Sequence, residues 1–297
     1  MPVSALESEI RSQPDCWREA AKDASRYRDI LPAPGERVAV IGCGTSLFIA
    51  RGVAYLRETL GRGVTDAWPA SEARLTRSYD RMIAISRSGT TTEVITTLKQ
   101  FNGPKTIITA AEDAPVYKLG DVIALRQFDE QSVVQTRFAT SALALLRAHF
   151  GEDLTPVIEQ ARAMLGTGES AVEPALDSVR GADQITFVGM GLGAALAAEA
   201  ALKLRESTQS WAESYHATEY RHGPVSIAQP GRAVWALGPL IPGFARDVAA
   251  TGAHLEHHDA DPLAELVRVH LLCLLRAKDL GMDPSRPRHL ERSVILD

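Results

Sequence analysis

The chain has 297 residues, of which 45% are hydrophobic and 23% charged, with a formal net charge of −5. That length buries a sizeable core in one large or two medium domains without disulfides. The acidic balance excludes a nucleic-acid surface, which wants a basic stripe, and no apolar run approaches the roughly 20 residues that span a bilayer. Residues 1–9 lack the basic-then-apolar order of a signal peptide, so a cytoplasmic protein is expected. Cys16, Cys43 and Cys273 are odd in number, widely spaced and without a CxxC pair. Free thiols are expected, and neither a disulfide framework nor a cysteine metal site.

In chain order, Leu6, Ile10, Trp17, Ala20, Ala21, Ala24 and Tyr27 recur at helical spacing and predict one or two N-terminal helices over 1–30, broken near Pro14. The Pro- and Gly-bearing segment 31–35 reads as a hinge. Strand-like runs at 37–42, 81–86, 104–109 and 122–125 then alternate with helical runs at 47–60, 93–101 and 134–150. Such alternation, with near-continuous apolar strands, predicts an α/β lobe over 31–151: a parallel sheet with helices on both faces. A helical connector is expected over 152–182. A second lobe, 183–297, begins with a strand at 184–189 and a long Ala-rich helix to about Gln209, with further strands at 233–237 and 253–257. The strand–GxG–helix pattern of Val38 to Ser46 returns at Ile185 to Gly193, which suggests an internal duplication.

The first lobe carries the more informative chemistry. After its second apolar run comes Ser86-Arg87-Ser88-Gly89-Thr90-Thr91-Thr92-Glu93, where a helix begins. The first N–H groups of a helix lack intrahelical partners and the local potential is positive, so added hydroxyls make a cradle for phosphate. Helix capping alone needs one hydroxyl. The corresponding turn of the second lobe reads Ala236-Leu237-Gly238-Pro239, so only the first lobe is expected to hold phosphate. A dinucleotide-binding reading is weaker: Asp66 stands where a ribose-binding acid would, yet the third glycine of the fingerprint is Leu47 in one unit and Ala194 in the other.

In the second lobe Glu199, Lys203, Arg205 and Glu206 interrupt an apolar helix, with Lys203 and Glu199 four apart on one face. A solvated salt-bridged stripe is the common meaning of that spacing. The following stretch, Trp211 to Pro224, is dense in titratable and aromatic residues and ends in His222-Gly223-Pro224, a loop suited to chemistry. The run from His254 to Asp261 has metal-ligand types without paired ligands at suitable spacing and reads as a solvated loop. Cys43, in the first glycine turn, has no histidine fixed near it by sequence and is not read as a nucleophile.

Taken together, Gly42 to Ser46, Ala70-Ser71-Glu72, Ser86 to Thr91, Glu199 to Glu206, Ala212 to Pro224 and the tail Pro287 to Val294 resemble the sugar isomerase (SIS) domain family, and within it the isomerase half of glucosamine-6-phosphate synthase. The resemblance implies two tandem flavodoxin-like SIS lobes, usually in a homodimer. It implies a sugar phosphate on Ser86, Arg87, Ser88 and Thr91 with Ser46 nearby, Glu206 as the base moving a proton between C1 and C2, and Lys203 as its cationic partner. His222 corresponds to the ring-opening residue supplied to the neighbouring subunit's site. Arg292 stands where the family has a lysine; an arginine stays protonated and forms no imine. The glutaminase half is not seen, so glutamine is not the expected ammonia source. These features favour a phosphosugar aldose–ketose isomerase or an aminosugar-phosphate deaminase, with no cofactor, metal, nucleic acid or membrane. The second reading, from another class, is a non-catalytic sugar-phosphate-binding regulator.

Overall fold

The computed structural model describes residues 4–166 and 176–296. Its first helix, α1 (Ala5–Asp23), runs through Pro14 without the expected break. Proline removes the N–H that would serve the Ile10 carbonyl. The Gln13 side-chain amide donates to that carbonyl at 3.1 Å and so replaces the missing bond.

The chain divides into two compact units, each described by itself. Asp15–Leu154 with His289–Asp297 form one, and Met1–Pro14 with Thr155–Arg288 the other. Residues 289–296, attached to the second lobe in the sequence reading, thus group with the first sheet. The expected connector contains helix α5 (Thr155–Leu165), and its residues 167–175 lie outside the described residues.

The first-sheet unit contains β1 (Val38–Gly42), α2 (Thr45–Thr59), β2 (Thr65–Pro69), β3 (Arg81–Ile85), α3 (Thr92–Gln100), β4 (Lys105–Thr109), β5 (Asp121–Ala124) and α4 (Arg137–His149). All its strands pair in parallel in the order β2-β1-β3-β4-β5. Every residue of β1 is buried, as expected of a β-branched run covered by helices on both faces. Trp17 of α1 is fully buried in this unit and donates its indole N–H to Thr140 Oγ1 at 2.8 Å.

The other unit contains β6 (Ile185–Gly189), α6 (Leu192–Thr208), β7 (Ala212–His216), α7 (Ala217–Tyr220), β8 (Ala233–Leu237), α8 (Phe244–Ala249), β9 (His254–His257) and α9 (Pro262–Asp279). Its sheet is also parallel, in the order β7-β6-β8-β9. The Ala212–His216 stretch, read from sequence as a polar loop, is an edge strand. Pairing on one side only lets Glu213, Ser214 and His216 stay at least partly accessible, which hides the strand from an apolar-run criterion.

The repeated glycine turn is structurally alike in the two units. Gly44 and Gly191 precede α2 and α6 with φ of +55° and +54°. Added at Gly42, a Cβ would lie 2.6 Å from the Ser46 carbonyl carbon; at Gly189 it would lie 2.3 Å from that of Gly193. Each glycine therefore sets how closely its strand meets the following helix. Gly189→Ala should destabilise the protein by about 1–3 kcal/mol through backbone displacement, measured as a lowered urea midpoint relative to the parent.

Candidate functional site

At the C-terminal ends of the adjacent strands β1 and β3, the two following turns line one pocket, shared by Ser46, Ser86, Ser88, Thr91, Gln135 and Arg292. This is the crevice where an open parallel sheet reverses the direction of its crossovers. The β3 turn is held tightly. Ser86 N–H donates to the Ile108 carbonyl at 3.0 Å, and the Arg87 carbonyl accepts from Ala110 N–H and Thr109 Oγ1, both at 3.1 Å. Gly89 has φ +64°, and a Cβ there would approach the Ala114 side chain to 2.6 Å.

The hydroxyls are not absorbed in capping α3. Thr91, the N-cap residue, makes no side-chain cap bond. The Thr92 N–H instead donates to the Val294 carbonyl of the C-terminal tail at 3.3 Å. Ser88 Oγ lies 3.1 Å and Thr90 Oγ1 2.9 Å from Ser293 Oγ, so a tail hydroxyl orients this turn.

Arg87, expected to meet the phosphate, also lines the pocket. Its side chain is buried, and the guanidinium donates to the carbonyls of Ser132 at 2.8 Å and Val133 at 3.1 Å, with the Glu130 carboxylate 3.8 Å away. Glu130 in turn accepts from Thr136 N–H at 2.5 Å, Thr136 Oγ1 at 2.8 Å and Arg137 N–H at 2.8 Å. Arg292 donates to the Glu130 carbonyl and the Asp129 carboxylate. The loop 129–137 is thereby fastened by three charged groups, and the cation lining the pocket beside the hydroxyls includes the tail arginine. Ser293 lies in the tail motif Pro287 to Val294, whose contact with this turn the sequence does not reveal, whereas Gln135 and this loop carry no motif.

Cys43 also lines the pocket. Burial, with the Glu93 charge adding to it, pushes its thiol pKa up, so it stays protonated at neutral pH and is a poor nucleophile. Asp66, the acid weighed for ribose binding, accepts from Tyr79 Oη at 2.6 Å and Arg77 at 2.8 Å.

In the other unit the Glu199–Lys203–Glu206 group is not the solvated stripe that its spacing commonly means. Lys203 and Glu199 are 1% and 2% exposed. Lys203 Nζ lies 2.5 Å from Glu206 Oε2 and 3.5 Å from Glu199 Oε1. Glu206 retains partial exposure, so this pair combines a fixed cation with a reachable carboxylate. His222 is exposed on the turn after α7, followed by Gly223 with φ +144°.

His270 of α9 is buried in the same unit and is not singled out by the sequence. Gln13 fixes its tautomer. The Ile10 carbonyl accepts from one amide proton, so the nitrogen end of Gln13 must also face His270 Nδ1, 3.1 Å away. Burial first, then the Lys203 charge, push the His270 pKa down to about 3.

In the run 254–261, His254, His258 and Asp259 are exposed as expected, while Glu256 is buried. Glu256, His258 and Glu265 bring ligating atoms within 4.8 Å of one another. Arg268 occupies their centre, donating to Glu256 at 2.6 Å, Glu265 at 2.7 Å and His258 Nδ1 at 2.5 Å. A guanidinium thus supplies the positive charge there.

Because the folded-state pKa of His270 lies below its ordinary 6.5, the unfolded chain binds the extra proton as pH falls from 6.5 towards 3. Stability is complete above pH 6.5 and lost below it, on the order of a few kcal/mol by pH 4 from this group. Urea titrations at about pH 7 and about pH 4.5 should show a smaller loss in His270→Gln than in the parent.

Residues 33–150 match the SIS domain model. Over 97% of its length the chain is 27% identical to the glutamine–fructose-6-phosphate aminotransferase [isomerizing] of Aeropyrum pernix, covering 57% of that protein. The equivalent protein of Thermus thermophilus is 28% identical over 90% of the chain, with 53% covered. The chain spans about half the length of these curated relatives. Among solved structures, glucosamine-6-phosphate deaminase from Thermotoga maritima superposes with a TM-score of 0.77 at 24% identity, covering 99% of this chain and 100% of that one. The tagatose-6-phosphate ketose/aldose isomerase of Escherichia coli gives 0.79 at 19% identity, with 97% of each covered. At those identities the structures establish a shared fold. The match to the SIS domain model thus falls on the part of the chain that carries the first sheet and the hydroxyl-rich turn.

Proposed function

We propose that the protein is a phosphosugar aldose–ketose isomerase or an aminosugar-phosphate deaminase, built from two tandem SIS lobes. The observation that carries this reading is the pocket at the ends of β1 and β3, where hydroxyls not spent on capping gather beside the N-terminus of α3. A phosphoryl group there accepts from Ser86, Ser88, Thr91 and Ser46 and benefits from the positive end of the helix. Arg87 serves that pocket through the loop it holds, and Arg292 adds a permanent positive charge.

Glu206 is the proposed base. It removes the proton from C2 of an open-chain aldose, the electron pair moves into an enediolate, and the same carboxyl returns the proton to C1 to give the ketose. Lys203, fixed beside Glu206, stabilises the negative charge as it develops on oxygen. With an amine on C2 the same transfer gives a C2 imine, which water hydrolyses to ketose and ammonia. Since Arg292 forms no imine, its contribution is electrostatic. His222, exposed on its turn, is assigned to ring opening in the site of the second subunit of a homodimer. The phosphate takes no part in the chemistry and supplies orientation and remote binding energy.

A thermal-shift screen against hexose and hexosamine 6-phosphates, followed by assays for isomerisation and ammonia, tests the reading. Stabilisation by phosphosugars with turnover of at least one is expected. Binding without turnover across the panel would instead identify a regulator that uses the same pocket. Glu206→Gln should lower kcat by about 10²–10⁴-fold while KM changes little, whereas Ser88→Ala should mainly raise KM.

A further inference from the structure

We propose that Gln135 selects the open-chain form of a hexose 6-phosphate, an inference that rests on the phosphosugar reading of the pocket. Gln135 precedes α4 and lines the pocket together with Ser86, Ser88 and Thr91. Its Oε1 is buried and has no hydrogen-bond partner among the described residues. A buried acceptor left without a donor costs free energy, and structures normally supply it with a partner. The segment bearing it is fastened by Arg87 on one side, by Glu130 on the Thr136 and Arg137 N–H groups, and by Arg292. So held, the loop presents Gln135 to the ligand rather than adjusting around it.

The chemistry of the ligand then decides what this oxygen meets. Ionised phosphate oxygens are acceptors only, so a carbonyl oxygen beside them has nothing to accept from the phosphoryl group. It requires an O–H close to the phosphate, and in a hexose 6-phosphate the nearest is that of C5. In the aldopyranose and the 2-ketofuranose, the ring forms that predominate for these esters, O5 closes the ring and carries no hydrogen. The open chain bears a hydroxyl there. An acceptor at Gln135 thus favours the one form of the sugar from which the C2 proton can be removed, and disfavours the rings that predominate in water.

Calorimetric titration with three probes tests this: D-glucitol 6-phosphate, which has a C5 hydroxyl; 1,5-anhydro-D-glucitol 6-phosphate, in which O5 is a ring ether; and inorganic phosphate. The parent should bind the glucitol ester about 10-fold more tightly than the anhydro ester, the worth of one hydrogen bond to a buried acceptor. Gln135→Leu should bind both esters alike and inorganic phosphate as the parent does. Gln135→Met, closer in shape, should repeat that result if leucine disturbs the loop. Equal binding of the two esters by the parent, a preference for the ring ether, or a preference surviving in both variants would overturn the assignment of Gln135. Failure of the parent to bind any of the three would overturn the phosphosugar reading itself, and the inference with it.

Discussion

Parallel pairing of β1 with β3 is the constraint on which the rest of the first site depends. The register from Val38 opposite Arg81 to Ile41 opposite Ala84 ends both strands at one edge, so the turns that follow leave the sheet side by side. One turn opens α2 and the other α3, so the N-termini of both helices lie at the same edge of the sheet. An antiparallel pairing would have sent one of these turns to the opposite edge. The hydroxyls of Ser46, Ser86, Ser88 and Thr91 become neighbours only because the backbone ladder brings them there.

Buried charge does its structural part around that crevice and again in the second unit. Arg87 and Glu130 fasten the loop before α4, and Lys203 stands between Glu199 and Glu206. Burying such groups adds little net stability, since desolvation offsets most of the attraction, but leaving one of them alone is costly. Their effect is to restrict the conformations available to the loop and to the carboxylate. Arg268 acts in the same manner among Glu256, His258 and Glu265, where three ligand-type side chains surround a guanidinium.

Much of the fold is visible in the linear pattern because parallel strands covered on both faces are continuously apolar. Val38–Gly42, Arg81–Ile85 and Ile185–Gly189 stand out for that reason. The edge strand Ala212–His216 does not, since only Ala212 of it is buried and polar residues fill most of its other positions. Pro14 reads locally as a helix breaker, and the Gln13 amide that satisfies the Ile10 carbonyl lies outside any propensity rule. Arg87 looks like a free cation in sequence, whereas its hydrogen bonds go to carbonyls more than forty residues away. The hydroxyl-rich turn was legible because a helix N-terminus and its neighbours are local in the chain. Ser293 reaches the same turn from the tail and Gln135 lines the pocket from the segment before α4, and neither contact is local in the chain.

By itself, the sequence determined the apolar central strands and the helices that follow them, the glycine turns that open α2 and α6, and the hydroxyl cluster after β3. Each of these follows from residues within a few positions of one another, where backbone sterics and hydrogen-bonding capacity act directly. Only the tertiary structure decided that the tail joins the first-sheet unit, that the Arg87 guanidinium donates to loop carbonyls, that Lys203 is buried, and that Gln135 lines the pocket. Those outcomes depend on contacts between residues far apart in the chain, and their partners are fixed by packing and not by neighbourhood.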